Sequence, residues 1–222
     1  MIIGTGLIAN SLKNIDTKEI LYFASGVSNS LETKDAEFQR EFNLLRNTLE
    51  HNKEKKFIYF STLSVHDRSK QNSHYVLHKL EMENYIKNNS DNYLILRIGN
   101  IVGKGGNPNT LFNFLKTKIK DNHKFVLHRN ARRLLLDIDD ISGFLNSTCR
   151  SVKNETINFA FPYYYNLKEI INAIEDRMKQ VADYDEVDEG DFYKVTFDHN
   201  TDAFFAEVQP DNYLKTLAVK YI

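Results

Sequence analysis

One cysteine stands in 222 residues, and there is no tryptophan. The lone thiol, Cys149, has no partner for an internal disulfide and points to a reducing compartment. Its place inside a helical pattern makes it a packing residue rather than a nucleophile. No apolar run approaches the roughly 18 residues that a membrane span needs. No signal peptide precedes the first glycine, so the cytoplasm is the expected location. Lysine and arginine (29) nearly balance aspartate and glutamate (30), leaving a formal charge of −1. With no dense basic run, nucleic acid is not an expected partner. Repeats and low-complexity tracts are absent as well. What is there, 41% hydrophobic and 27% charged residues, is an ordinary soluble globular composition, for one domain or one domain with a small lobe.

Along the chain, short apolar runs alternate with helical stripes. Met1–Ile3 reads as a strand stub, followed by Gly4-Thr5-Gly6-Leu7-Ile8-Ala9 and a helix to about Lys13. Ile20–Ala24 reads as a buried strand ending in Ser25-Gly26, and Phe38, Phe42, Leu45 and Leu49 share one face of a helix over 35–51. Strands follow at Phe57–Phe60, Tyr93–Ile98 and Thr156–Phe159. Helices are expected from Tyr75 through Ile86, over Thr110–Ile119, from Ile141, and around Leu167–Val181. Asp140 has the residue type and position of a helix N-cap. This alternation implies an α/β fold with a doubly wound parallel sheet. The tail reads differently: an acidic, solvated linker over Ala182–Asp191, a strand at Phe192–Phe197, and a closing helix at Tyr213–Tyr221.

The most informative stretch is Phe57–Lys79, FIYFSTLSVHDRSKQNSHYVLHK. Its strand ends in hydroxyls, Ser61, Thr62 and Ser64, and a polar loop then leads to Tyr75 and Lys79, four residues apart on a helix. That spacing sets a phenol and an ammonium on one helix face, about 5–6 Å apart at Cβ. A cation so close favours the phenolate, whose pKa is about 10 in free tyrosine. Such a set suits moving a proton on or off a carbinol oxygen. His66, His74 and His78 lie nearby, but their spacing matches no common zinc pattern and no metal is expected.

With these companions the chain resembles the extended short-chain dehydrogenase/reductases of NAD-dependent epimerase/dehydratase type. The resemblance rests on the Gly-rich start, Thr62 with Tyr75-x-x-x-Lys79, LRIGNIVG (Leu96–Gly103) and RLLLDIDDI (Arg133–Ile141). It implies a Rossmann-like core over 1–160, with 105–135 contributing to a small substrate lobe completed by 161–222. It makes Thr62, Tyr75 and Lys79 catalytic, and assigns Gly4, Gly6, Leu7, Ile8, Ser25, Gly26 and Lys79 to NAD or NADP. Asn100 would touch a nucleotide-sugar substrate and Arg133 its diphosphate; equally, Arg133 forms a salt bridge to the Asp137–Asp140 cluster. A homodimer is implied too, through Phe38, Phe42, Leu45 and Leu49 on one helix and Leu80, Tyr85 and Ile86 on the next.

One departure bears on all of this. A dinucleotide fold needs a second strand after the first helix, with an acidic residue about 20 positions on for the adenosine ribose. Lys13–Glu19 leaves no room for it, so the reduced sheet lacks two strands and Asp16 serves a turn or cap. The extra residues of 4,6-dehydratases and of epimerase-reductases are also absent after Thr62, where Leu63 and Ser64 stand. The expectation is an NAD(P)-dependent 4-ketosugar reductase or 4-epimerase in surface-polysaccharide synthesis. The alternative is a non-catalytic nucleotide-sugar binder or partner subunit without a dinucleotide site.

Overall fold

The computed structural model describes residues 1–190 and 192–222, so of the acidic stretch only Asp191 lies outside the described residues. The chain runs β1 (Ile2–Ile3), α1 (Leu7–Ser11), β2 (Ile20–Phe23), α2 (Asp35–Glu50), β3 (Lys56–Thr62), α3 (His74–Asn89), β4 (Tyr93–Ile98) and β5 (Asn100–Val102). It continues through α4 (Leu111–Lys120), β6 (Phe125–His128), β7 (Arg132–Asp137), α5 (Ile138–Thr148), β8 (Glu155–Phe159) and β9 (Tyr164–Asn166). It closes with α6 (Leu167–Met178), β10 (Tyr184–Val187), α7 (His199–Phe205) and α8 (Pro210–Tyr221).

The main sheet is parallel and five-stranded, in the order β1-β2-β3-β4-β8. Ile20 to Phe23 are all buried because both faces of this strand are covered. Ile20, Tyr22, Ile58, Phe60, Leu94 and Leu96 face the larger core with Leu12 and the α5 residues Ile141, Phe144 and Leu145. Leu21, Phe23, Phe57, Tyr59 and Ile95 face the opposite way, against Leu45 and Leu49 of α2 and Met82 and Ile86 of α3.

Between β1 and β2 there is only α1, a 3-10 turn over Lys13–Ile15 and a short connection, so β2 and β3 are direct neighbours and β1 forms the sheet edge. The missing second strand read from the sequence is thus missing in the fold. Every step from β1 to β4 moves across the sheet in one direction, yet α1 lies on the opposite face from α2 and α3. Crossovers on opposite faces that step the same way have opposite hands. With the usual right hand for the α2 and α3 units, β1–α1–β2 is left-handed.

Two buried ionic groups fix α3 on this sheet. Glu83 is 1% exposed; Ser61 donates to it at 2.6 Å, and Arg97 of β4 donates twice, at 2.9 and 2.6 Å. The second, around Lys79, belongs to the site.

Beyond β5 the structure departs from expectation in four places. Residues 184–187 of the acidic stretch form β10, paired in parallel with β6, because Tyr184 packs on Phe125 and Lys124 and Lys168 pair with Asp185 and Glu186. Phe192–Phe197 joins no ladder; the Tyr164 hydroxyl accepts from Val195 N–H at 2.7 Å, Asn158 donates to Thr196 O at 2.9 Å, and Tyr193, Val195 and Phe197 pack on Leu63, Leu134 and Ala160. Arg132–Asp137, read only as a motif, is a strand between β5 and β9. Finally, α5 begins at Ile138 and its cap is Asp137, which accepts from Asp139 N–H at 3.0 Å.

Asp140 instead accepts from the Tyr213 hydroxyl at 2.6 Å, while Lys220 and Tyr221 reach Asp137, so the start of α5 anchors α8. Of the apolar residues expected at a dimer interface, Phe38, Leu45, Leu49 and Ile86 are buried within the chain. Among the described residues, no helix is long and apolar enough to cross a membrane.

Two predictions follow from these contacts. Arg97→Met leaves the Glu83 carboxylate buried without its bidentate partner and is expected to cost about 3 kcal/mol in urea denaturation. Adding Glu83→Gln should return part of that loss, and strictly additive losses would contradict the pairing. Burial, with the charges of Asp137 and Asp139 against the Tyr213 bond, pushes the Asp140 carboxyl up to about 6. Between the ordinary carboxylate range and that value the folded state holds a proton that the unfolded chain has released. Stability therefore falls as pH rises through this window, by about 1–3 kcal/mol from this group. Asp140→Asn should remove that slope in unfolding curves compared at about pH 4 and about pH 7; an unchanged slope would assign it elsewhere.

Candidate active site

β3 gives way at Thr62 to a 3-10 turn over Leu63–His66, where Thr62 Oγ1 accepts from Ser64 N–H at 3.1 Å. That bond uses the oxygen as acceptor and leaves the hydroxyl proton free to donate. A second turn, capped by Asp67, carries the chain to Ser73, which accepts from Val76 N–H at 3.2 Å and starts α3. Tyr75 therefore stands half-buried in the first turn of α3, against which the Leu63–His66 turn packs. Lys79 follows one turn later, and its Nζ lies 5.8 Å from the centre of the Tyr75 ring.

Lys79 is 2% exposed, and its ammonium is already engaged. It donates to Glu41 Oε1 at 3.0 Å and to the Tyr59 hydroxyl at 3.1 Å. Tyr59 in turn donates to Glu41 Oε1 at 2.9 Å; His78 Nε2 and Val27 N–H meet Oε2 at 3.1 and 2.7 Å. Burial alone would raise the Glu41 carboxyl, but Lys79 and these hydrogen bonds prevail and hold it down to about 2. Burial and the Glu41 charge push the Tyr59 phenol well up, so it stays protonated as a donor.

The Gly-rich turn sits at the end of β1. Gly4 has φ +127°, and a Cβ there would lie 2.4 Å from Ala24 O, so only glycine lets β1 turn against the exit of β2. Among the described residues, no atom comes within 4 Å of a Cβ placed on Gly6, which caps α1. The Leu7 and Ile8 side chains pack on the core, Leu7 against Gly103 and Gly106, so only their backbone faces this turn. A Cβ on Gly26 would fall 2.8 Å from Lys79 Nζ, so the Ser25–Val27 loop lies directly on the ammonium.

Asn100, on β5, donates its side-chain amide to Leu134 O at 3.2 Å. Arg133, on β7, donates to Arg132 O at 2.8 Å and lies close to Tyr193. Burial raises the Tyr193 phenol, and its hydrogen bond with Ser64 and the nearby Arg133 charge oppose this, so Tyr193 lies beside the Leu63–His66 turn. The histidines do not converge: His66 meets Asn158 Oδ1 at 3.0 Å, and His78 meets Glu41.

Glu41, Tyr59, Glu83 and Tyr193 escaped the sequence reading. Glu41 left a signal, a carboxylate inside the apolar stripe of Phe38, Phe42, Leu45 and Leu49. Glu83 left another, an acid one helical turn after Lys79.

For a dinucleotide the residues fit in part. The open turn at Gly6 suits a pyrophosphate, and Lys79 keeps one of its three donors for a ribose hydroxyl. Among the described residues, no strand pairs beyond β1, where a second strand would wall an adenosine site.

No family model and no curated protein matches the sequence. Solved structures do match. A UDP-N-acetylglucosamine 4-epimerase from Methanobrevibacter ruminantium M1, in complex with UDP-N-acetylmuramic acid, is 19% identical with a TM-score of 0.73, covering 99% of this chain and 81% of its own. A UDP-glucuronic acid 4-epimerase variant from Bacillus cereus, bound to a fluorinated UDP-sugar and NAD, is 18% identical with a TM-score of 0.71, covering 98% and 77%. RMD from Pseudomonas aeruginosa, complexed with NADPH, is 14% identical with a TM-score of 0.68, covering 98% and 87%. At such identities the likeness is one of fold: the chain has the mostly parallel, Rossmann-like α/β fold of these solved structures.

Proposed function

We propose that this chain is an NAD(P)-dependent enzyme of the epimerase/oxidoreductase kind acting on a nucleotide-activated sugar. The observation that supports the reading is the Lys79 ammonium 5.8 Å from the Tyr75 ring centre on α3, with the turn that follows Thr62 packed against that helix, on the fold of the solved structures named above. Gly4, Gly6 and the backbone of Leu7 and Ile8 would hold the pyrophosphate, and Ser25, Gly26 and Lys79 the nicotinamide ribose. Bound there, the nicotinamide would supply or accept a hydride. Tyr75 moves the proton at the carbinol oxygen, Thr62 donates to the same oxygen and orients it, and Lys79 directs one hydrogen bond towards them. Asn100 and Arg133 border the substrate side, where a guanidinium makes paired bonds to phosphate.

The finer reading is a 4-ketosugar reductase or 4-epimerase of surface-polysaccharide synthesis, working in the cytoplasm. It needs only hydride exchange at one carbon, for which the three residues suffice. A second reading, a nucleotide-sugar binder without a dinucleotide site, is favoured by the bare edge of β1 and the enclosed Lys79. Calorimetric titration separates the two. Binding of NAD(H) or NADP(H) supports the enzyme, whereas binding of a UDP- or dTDP-sugar with neither dinucleotide supports the binder. On a substrate that turns over, Tyr75→Phe should lower kcat by about two orders of magnitude with KM nearly unchanged, and Thr62→Ala should cost less. Unchanged turnover in Tyr75→Phe would end the acid/base assignment.

A homodimer belongs to the same proposal. Leu77 is 52% exposed on the outer face of α3, beside Phe42, Leu80 and Tyr85. That face would bury itself on a second copy across a two-fold axis. Light scattering at micromolar concentrations should give twice the chain mass, and a monomer would refute the assembly.

A further inference from the structure

The buried carboxylate on α2 has a part to play that goes beyond packing. Every other inward position of that stripe is apolar or, at Thr48, small. An aliphatic side chain there would avoid the cost of burying a charge. Glu41 is instead 0% exposed and fully used: its Oε1 accepts from Lys79 at 3.0 Å and Tyr59 at 2.9 Å, its Oε2 from Val27 N–H at 2.7 Å and meets His78 Nε2 at 3.1 Å. These partners come from α3, β3 and the loop leaving β2. One side chain thus joins the three segments that surround the ammonium. Gly26 completes the enclosure, since a Cβ there would lie 2.8 Å from Nζ and 3.0 Å from Glu41 Oε1.

We propose that Glu41 is the positioning residue of the site: it holds Lys79 in place and balances its charge before any ligand binds. The inference rests on reading Tyr75 and Lys79 as the reacting pair. An ammonium has three donors. Glu41 and Tyr59 take two, which leaves a single donor whose direction the other two determine. Lys79 then serves the site through one aimed hydrogen bond instead of an unpaired positive charge. Val27 N–H carries the same control to the Ser25–Val27 loop, so the floor of the expected ribose site is assembled by the chain itself.

The test begins without a substrate. Folded protein is treated with an amine-acylating reagent, and the modification of Lys79 is followed by mass spectrometry against exposed Lys153. Lys79 should react far more slowly than Lys153. Glu41→Gln, which keeps an acceptor oxygen but removes the charge, should raise its rate by about tenfold or more. Tyr59→Phe removes the other partner and should raise it less. An equal Lys79 rate in wild type and Glu41→Gln overturns the proposal. Circular dichroism verifies folding, and if Glu41→Gln does not fold, Glu41→Asp takes its place, with a shorter reach to Lys79 and a smaller but measurable rise. Once a substrate is in hand, Glu41→Gln should lower kcat by about tenfold with KM unchanged and alter the pH–rate profile, and Glu41→Asp should recover part of kcat. A folded Glu41→Gln enzyme with wild-type kcat and pH profile overturns the positioning role. Wild-type protein that turns over no nucleotide-sugar counts against the proposed function instead, and the acylation rates still decide whether Glu41 holds Lys79.

Discussion

Helix α3 carries a buried positive and a buried negative charge one turn apart, and neither tolerates being left alone. Lys79 must meet Glu41 and Tyr59, while Glu83 must meet Ser61 and Arg97. The first set ties the helix to α2 and β3, the second to β3 and β4. Apolar packing alone specifies such a helix loosely, since aliphatic side chains accept small rotations and slides. Two charges with fixed partners do not, because each displaced ion would remain in a medium that solvates it poorly. The rotation of α3, and with it the direction of Tyr75, follows from these four side chains more than from the leucines and methionine around them.

The sheet imposes a second constraint, from its edge. In open α/β sheets a ligand crevice forms where successive strands leave a common point in opposite directions. Here the order from β1 to β4 runs one way, so no such reversal exists, and one wall of the usual crevice is not built. What remains is the turn through Gly4 and Gly6, the Ser25–Val27 loop and the start of α3.

Much of this was legible in the sequence, and the parts that were not share a cause. Strand–helix alternation, the absent second strand and the Tyr75/Lys79 face all rest on local pattern, which the fold respects. Glu41 stands out as a carboxylate in an apolar stripe, but its purpose was illegible because the residues that satisfy it lie far along the chain. The strand at 184–187 was hidden by its acidity, which reads as solvated until Lys124 and Lys168 are known to lie beside it. Phe192–Phe197 has the composition of a strand, yet the hydroxyl of Tyr164 and the amide of Asn158 take its backbone groups where a ladder would have. Asp140 looked like a cap, but the helix starts three residues earlier, and a tyrosine from the last helix claims that carboxylate.

The one-way strand order also bears on how the chain reaches its fold. From β1 to β4 each new strand pairs with the one made just before it in the chain. Each pairing needs only segments already made, so the sheet can add these strands in the order of synthesis. Only β8 must wait, because everything from β5 through α5 is made before it can pair with β4. Until then, the outer edge of β4 stands open, and the vulnerable interval for mispairing with another chain lies there rather than at the two-residue β1.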